Sequence, residues 1–289
     1  MEERKDVFIQ VVVYLIVTTV LTVGVFVWMF MKAKGGADPG NNIGLVFLMM
    51  WTPGISAFIT SLVLRDSIRE YGWRPGKLRY LGYAYVLPIA ASIVAYGLVW
   101  VVGLADISLE VTRNYRWARM LGLQTPVPVV VGLLSKIFLG FIMGFIFALG
   151  EEIGWSGFLT PKLSKISSVT VTSLIVGGYW AVWHYPAIIG GMYGYNTPLW
   201  VSLPGFTMVI IAASFIRTVL RLKSKSMWVG VVLHTSHNLY LMGIFRDITV
   251  KEGYADWWVS ETGLFMGVVY LVVAIVFWRW QMRPAASEG

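Results

Sequence analysis

Apolar residues along this chain gather in blocks, not in the stripes of a water-soluble amphipathic helix. Eight blocks stand out: Val7–Met31, Ile43–Leu64, Leu81–Leu104, Val127–Gly157, Val169–Ile189, Pro198–Leu220, Met227–Phe245 and Gly263–Trp280. A membrane-crossing helix needs about 20 mostly apolar residues. The pattern therefore predicts an all-α, polytopic membrane bundle of about eight transmembrane helices. It reads as a single integral-membrane domain over residues 1–289 with no soluble domain. The first block is longer than the core of about 7–15 residues of a signal peptide, so it is read as a retained span. No internal repeat of the kind that builds inverted transporter halves is visible.

Composition sharpens this picture. The chain is 57% hydrophobic and 13% charged, with mean hydropathy +0.70, against roughly 25% charged residues in a soluble domain. There is no cysteine, which removes disulfides and thiolate metal sites. The net charge of +8 is spread around the blocks with no long basic run, so it indicates membrane topology and no nucleic-acid partner. Lys and Arg concentrate near the N-terminus, after the second, fourth and sixth blocks, and near the C-terminus. Arg65, Arg69, Arg74, Lys77 and Arg79 form one cluster; Arg217, Arg221, Lys223 and Lys225 form another. The positive-inside rule then puts both termini in the cytoplasm, in what is expected to be a prokaryotic cell membrane. Both clusters are read as topology signals and contacts to membrane lipid. Within Asp106–Pro126, Arg113, Arg116 and Arg119 recur among apolar residues, which suits a short interfacial helix or a connecting loop.

The candidate chemistry lies where charge interrupts the apolar blocks. Glu151 and Glu152 end the run from Val127, His184 lies in a second block, and His234 and His237 lie in a third. A charge inside a bilayer core costs about 2.5–3.5 kcal/mol on insertion scales, so such residues by default face a protein interior or a wet cavity. Two adjacent carboxylates disfavour each other's charge, a condition under which one can act as a base on water. The alternative is a helix end at the membrane interface. His234 and Asn238 share a helical face at a spacing of four, with His237 beside them and more simply structural. This set suits two chemistries. In one, Glu151 deprotonates water with His184 sharing the proton, while His234 and Asn238 donate to an oxyanion. In the other, the histidines and a glutamate bind zinc, although no His-Glu-x-x-His is present.

The run Glu151-Glu152-Ile153-Gly154-Trp155-Ser156, the pair Trp180 and His184, and His234 with Asn238 resemble the three motifs of the CPBP intramembrane proteases. That family comprises the CAAX proteases and bacteriocin-processing (Abi) enzymes, including the Rce1-type prenyl-protein endopeptidases. Its patterns are Glu-Glu-x-x-x-Arg, Phe-x-x-x-His and His-x-x-x-Asn. Met50-Trp51-Thr52-Pro53-Gly54 and Gly72-Trp73-Arg74-Pro75-Gly76-Lys77 are also similar to the family. The resemblance implies an intramembrane endopeptidase with Glu151, His184, His234 and Asn238 as catalytic residues and no cofactor, zinc being the alternative. Glu152, Ser156, Trp155, Trp180 and His237 would organise the site or bind substrate. The implied substrate is a peptide or lipidated protein; the oligomeric state is left open.

Two departures from the patterns carry consequences. Ser156 stands where the family has Arg, which is expected to leave Glu152 without its counter-charge. Trp180 replaces Phe, adding an N–H to an aromatic that fills the same space. Depth is a third concern. Counted from the assigned span ends at 1.5 Å per residue, Glu151 and His234 lie roughly 10 Å deep and His184 roughly 22 Å. Either the fifth span starts beyond the membrane and projects into the cytoplasm, the preferred reading, or it is tilted or kinked near Gly177-Gly178; a real difference in depth would put His184 outside this site. Two other functions compete with proteolysis. One is a membrane binding or immunity protein that keeps the site residues without catalysis, and the other is a proton-coupled transporter using the same groups as a relay.

Overall fold

The computed structural model describes residues 2–34, 42–194, 197–250 and 254–281. The C-terminal tail, on which part of the orientation argument rests, lies outside the described residues. Every predicted block forms a helix. The long elements are α1 (Glu2–Lys34), α2 (Ile43–Val63), α3 (Leu78–Val101), α5 (Val129–Glu152), α7 (Val169–Ile189), α8 (Leu199–Ser224), α9 (Trp228–Leu239) and α11 (Leu264–Gln281). Short helices α4 (Arg116–Met120), α6 (Thr160–Ile166) and α10 (Ala255–Val259) join them, with one two-stranded pairing of Asp106–Ile107 against Thr249–Val250. The Asp106–Pro126 segment is thus a strand, a 3₁₀ turn and the single-turn α4, between the two expected forms.

Six helical stretches among the described residues are long and apolar enough to cross a membrane: 4–33, 43–63, 78–101, 129–166, 199–224 and 255–281. Their outward faces carry residues such as Ile16, Val20, Leu62, Val101, Leu134 and Val276. A surface this apolar is stable against hydrocarbon and not against water; the protein is an integral membrane bundle. The other two predicted spans, α7 and α9, carry the histidines and are more polar or shorter. Helix α9 spans twelve residues before a wide π turn at Tyr240–Phe245. Nine of those twelve are buried, and Ser236 and His237 bond groups on other elements.

Two apolar clusters hold the bundle. One joins α1, α2 and α7 around Tyr14, Trp155, Phe158 and Trp180. The other joins α3, α8, α9 and α11 around Tyr96, Leu220, Leu241 and Tyr270. Close helix approach depends on small residues, the usual device where lipid supplies no hydrophobic drive between helices. A Cβ on Gly54 of α2 would lie 2.5 Å from the Gly150 carbonyl oxygen, and one on Gly150 would lie 2.5 Å from the Trp51 ring. The Trp51 indole N–H donates to the Ile146 carbonyl at 3.2 Å. The Met50–Gly54 segment therefore docks α2 onto the turn of α5 that precedes Glu151.

The Gly72–Lys77 segment docks similarly on the turn between α8 and α9. Met227 N–H donates to the Gly72 carbonyl at 3.0 Å, and the Trp228 indole N–H donates to the Trp73 carbonyl at 2.6 Å. Beside it Tyr71 bonds Ser61 and the Ala57 carbonyl, both at 2.8 Å; burial pushes its phenol up to about 12, so it stays a neutral donor.

Gly54→Val is expected to lower the unfolding midpoint in detergent, at a cost of about 1–3 kcal/mol from overpacking. A thermal melt of the purified variant checks this. An unchanged midpoint would mean that the α2–α5 contact is not close in solution.

Candidate active site

Glu151 and Glu152 are the last two residues of α5, and both are buried. A wide π turn, Ile153–Leu159, follows them before α6 begins. Such turns insert one residue into a helix and recur at functional sites. Here Thr160 closes the turn by donating from its backbone N–H and its hydroxyl to the Trp155 carbonyl. All seven residues of the turn are buried.

The turn folds Trp155 back onto Glu151, with the indole N–H donating to Glu151 Oε2 at 3.1 Å. The Trp180 indole of α7 donates to the same oxygen at 2.7 Å. Among the described residues both hydrogen bonds to Glu151 thus fall on Oε2. The N–H that distinguishes Trp180 from the family's Phe is therefore used on a carboxylate. Trp180 also lies 5.3 Å from the His234 ring and 6.1 Å from the His184 ring, measured between centroids.

Glu152 does not lack a counter-charge, and here the structure corrects the sequence reading. Arg217 of α8 donates from Nη1 to Glu152 Oε1 at 2.9 Å, and both side chains are at most 1% exposed. Ser156 donates to Glu152 Oε2, and His234 Nδ1 lies 3.4 Å from Oε1. The guanidinium donates a second bond to Ser214 Oγ at 3.0 Å and stacks over the Trp180 ring at 4.4 Å. Arg221 is likewise internal, donating from Nε to the Ser156 carbonyl at 2.7 Å. Arg217 and Arg221 are therefore not lipid-facing topology charges. The missed signal was positional: Arg217 lies inside an apolar block, as the glutamates do.

His184 lines the same cavity as Glu151, His234 and Asn238, so the counted difference in depth does not separate them. The helix bearing Glu151 continues through the π turn and α6 to Ile166, well past Gly157. From Glu151 to Ile166 is fifteen residues, and from Val169 back to His184 is fifteen more. A helical hairpin with equal arms returns its ends to the same level.

The cavity holds about 340 Å³. Its polar side is formed by Glu151, His184, His234 and Asn238, and much of the remainder is apolar, including Phe26, Met29, Met49 and Met242. A second polar cluster, not found from sequence, closes another wall. His237 bonds Glu261 Oε1 and the Tyr270 hydroxyl, both at 2.7 Å, and Tyr193 donates to Glu261 Oε2. The Tyr193 ring lies 5.5 Å from the His184 ring. Glu261 escaped notice because it stands in the short turn before α11, outside any motif.

Lys136, inside a span, is answered by Asp247 and lies over the Tyr115 ring at 4.6 Å. Zinc finds no matching donor set: among the described residues no three His, Asp or Glu side chains converge on one point. Glu151 is engaged by indoles, Glu152 by Arg217 and His237 by Glu261.

The fold and site define a polytopic helical membrane protein that buries a glutamate pair and two histidines around one cavity. Residues 133–240, which contain all three motifs, match the family model for Rce1-like type II CAAX prenyl endopeptidases. The chain is also similar to CAAX prenyl protease 2 of Methanococcus maripaludis, 29% identical over 133 residues, or 44% of this chain. The chain spans less than half the length of that relative, 44% of it.

Glu261→Ala is expected to destabilise the protein by about 2–4 kcal/mol, because the buried His237 loses its carboxylate and the Tyr193 hydroxyl loses that acceptor. Glu261→Gln, which keeps a donor and an acceptor there, should lose less. Thermal melts of both in detergent test the ordering, and equal midpoints for all three proteins would contradict the network.

Proposed function

We propose that this protein is an intramembrane endopeptidase that cuts a peptide bond of a membrane-associated substrate by means of a water activated by Glu151. The observation that carries this reading is the convergence of all three motifs on one largely apolar cavity, with Glu151 anchored through a single carboxylate oxygen. Oε2 is fixed by two indoles, and Oε1 is the oxygen assigned to water. Anchoring of this kind supplies the orientation that general-base catalysis needs.

In the proposed reaction Glu151 takes a proton from water as the oxygen attacks the scissile carbonyl carbon. His184 shares or orients that proton. The carbonyl oxygen becomes an oxyanion, which accepts hydrogen bonds from His234 and Asn238. Collapse breaks the C–N bond, and the proton held by Glu151 passes to the departing amine. Glu152 and Ser156 keep the turn and His234 in register. Trp155 and Trp180 fix the base, and His237 braces the opposite wall.

The substrate proposed first is the C-terminal segment of a prenylated CAAX-type protein, as the matched family's description suggests. The apolar wall supports it, since flexible methionines accommodate an apolar chain of variable shape. A Glu152 without a counter-charge would have favoured the non-catalytic alternative, and Arg217 supplies that charge.

The test is cleavage of prenylated and unprenylated C-terminal peptides by protein in lipid nanodiscs, read by mass spectrometry. Glu151→Gln is expected to lower the rate by about 10²–10⁴-fold and Asn238→Ala by about 10²–10³-fold, both with wild-type melting. Trp180→Phe, which removes one of the two bonds to Glu151, should cost about tenfold. A chelator should leave the wild-type rate unchanged. Wild-type rates from Glu151→Gln would overturn the assignment, and loss of activity to the chelator would move the reaction to a metal.

A further inference from the structure

The family pattern puts an arginine four residues after Glu152, on the same turn, and this chain has Ser156 there. The bundle nevertheless places a guanidinium on Glu152. It comes from α8, 61 positions further along the chain than the motif site, as follows from the residue numbers 156 and 217. The fit is specific. Arg217 makes one bond to Glu152 and one to Ser214, and lays its face on Trp180. Trp180 in turn donates to Glu151. One cation therefore touches both halves of the carboxylate pair, Glu152 directly and Glu151 through the indole.

Space at the turn explains why both arginines would not coexist. Gly230 of α9 lies against Ser156 so closely that a Cβ on it would lie 2.9 Å from Ser156 Cβ. The Ser156 hydroxyl already fills the remaining acceptor side of Glu152. A long cationic side chain at 156 would have to pass the contact with Gly230, and it would bring a second guanidinium to a carboxylate that already holds one.

We infer that Arg217 performs the task of the arginine absent from position 156, as a positioning residue whose cation has moved from the π turn to α8. The inference rests on the proteolytic reading for its effect on catalysis. Its effect on stability stands independently of that reading. Removal of Arg217 leaves Glu152 buried without its guanidinium, the situation in which breaking a buried ion pair is most costly.

The test relocates the cation. Arg217→Ser is expected to lower kcat at least tenfold with a smaller change in KM, and to lower the melting midpoint on the order of 10 °C. Ser156→Arg alone should also be impaired, by crowding. The double variant Ser156→Arg/Arg217→Ser should recover both readouts relative to each single variant. The size-matched control Ser156→Met/Arg217→Ser should recover neither, because a structural role filled by volume alone would be rescued equally well by Met. Arg217→Met with and without Glu152→Gln covers the case in which the relocated variant does not fold. Neutralising Glu152 should restore part of the lost midpoint.

Recovery specific to Arg at 156, or partial restoration by Glu152→Gln, supports the inference. Equal behaviour of the Arg and Met double variants, or no restoration by Glu152→Gln, overturns it. If wild-type protein cuts no peptide, the proteolytic reading fails, and the relocation is decided by the midpoints alone.

Discussion

The buried pair of Glu152 and Arg217 is the constraint on which the rest of the site depends. A carboxylate withdrawn from water carries an effective penalty of several kcal/mol unless a well-placed cation and hydrogen bonds answer it. Two adjacent carboxylates at the end of one helix double the difficulty. The bundle handles them differently. Glu152 receives a cation, a hydroxyl and an imidazole edge, whereas Glu151 receives two neutral indole donors on one oxygen and faces the cavity. Chemically identical neighbours are thereby separated into a group held inside the bundle and a group that faces the cavity.

That separation requires helices to meet closely around the end of α5. The bare backbone at Gly54 and Gly150 lets α2 abut α5 immediately before the pair. On the other side Gly177 of α7 lies against α8 at Ile211 and Ser214, and a Cβ there would lie 2.9 Å from Ile211 Cα. That contact sets Trp180, one turn later on α7, beside Arg217, one turn later on α8. The stacking of guanidinium on indole is thus a product of backbone approach as much as of side-chain choice.

Much of this was legible in the sequence. Block length gave the helices, and a charge inside an apolar block singled out Glu151, Glu152 and the histidines. Spacing joined His234 to Asn238. What spacing cannot give is which helix faces which. Arg217 was visible as a residue type but was grouped with neighbouring basic residues as a topology signal, because one-dimensional clustering does not report burial. Glu261 has no local signature at all, since its meaning comes from His237 and Tyr193, which approach it from other elements. The apparent depth conflict at His184 had a simpler cause. The apolar block that predicts the fourth span ends at Gly157. The π turn and α6 carry the helix to Ile166, and that added length brings His184 back to Glu151.

Moving the cation from the glutamate turn to α8 changes what the site depends on. An arginine four residues after Glu152 would bind its carboxylate within one helical turn, and the pair would survive modest shifts of neighbouring helices. With Arg217 as the donor, the pair spans α5 and α8, and the same guanidinium rests on α7 through Trp180. Helix α8 in turn packs on the turn that precedes α11, through the close contact of Gly205 with Thr262, next to Glu261. The two polar clusters are therefore mechanically joined: Glu261 and His237 brace one wall, Arg217 and Glu152 the other, with α8 and α9 between them. A displacement of α8 relative to α5 would weaken the ion pair, lift the guanidinium from Trp180 and loosen the indole that anchors Glu151. The geometry of Glu151 is thus tied to the packing of the whole bundle and not to the local turn that carries it.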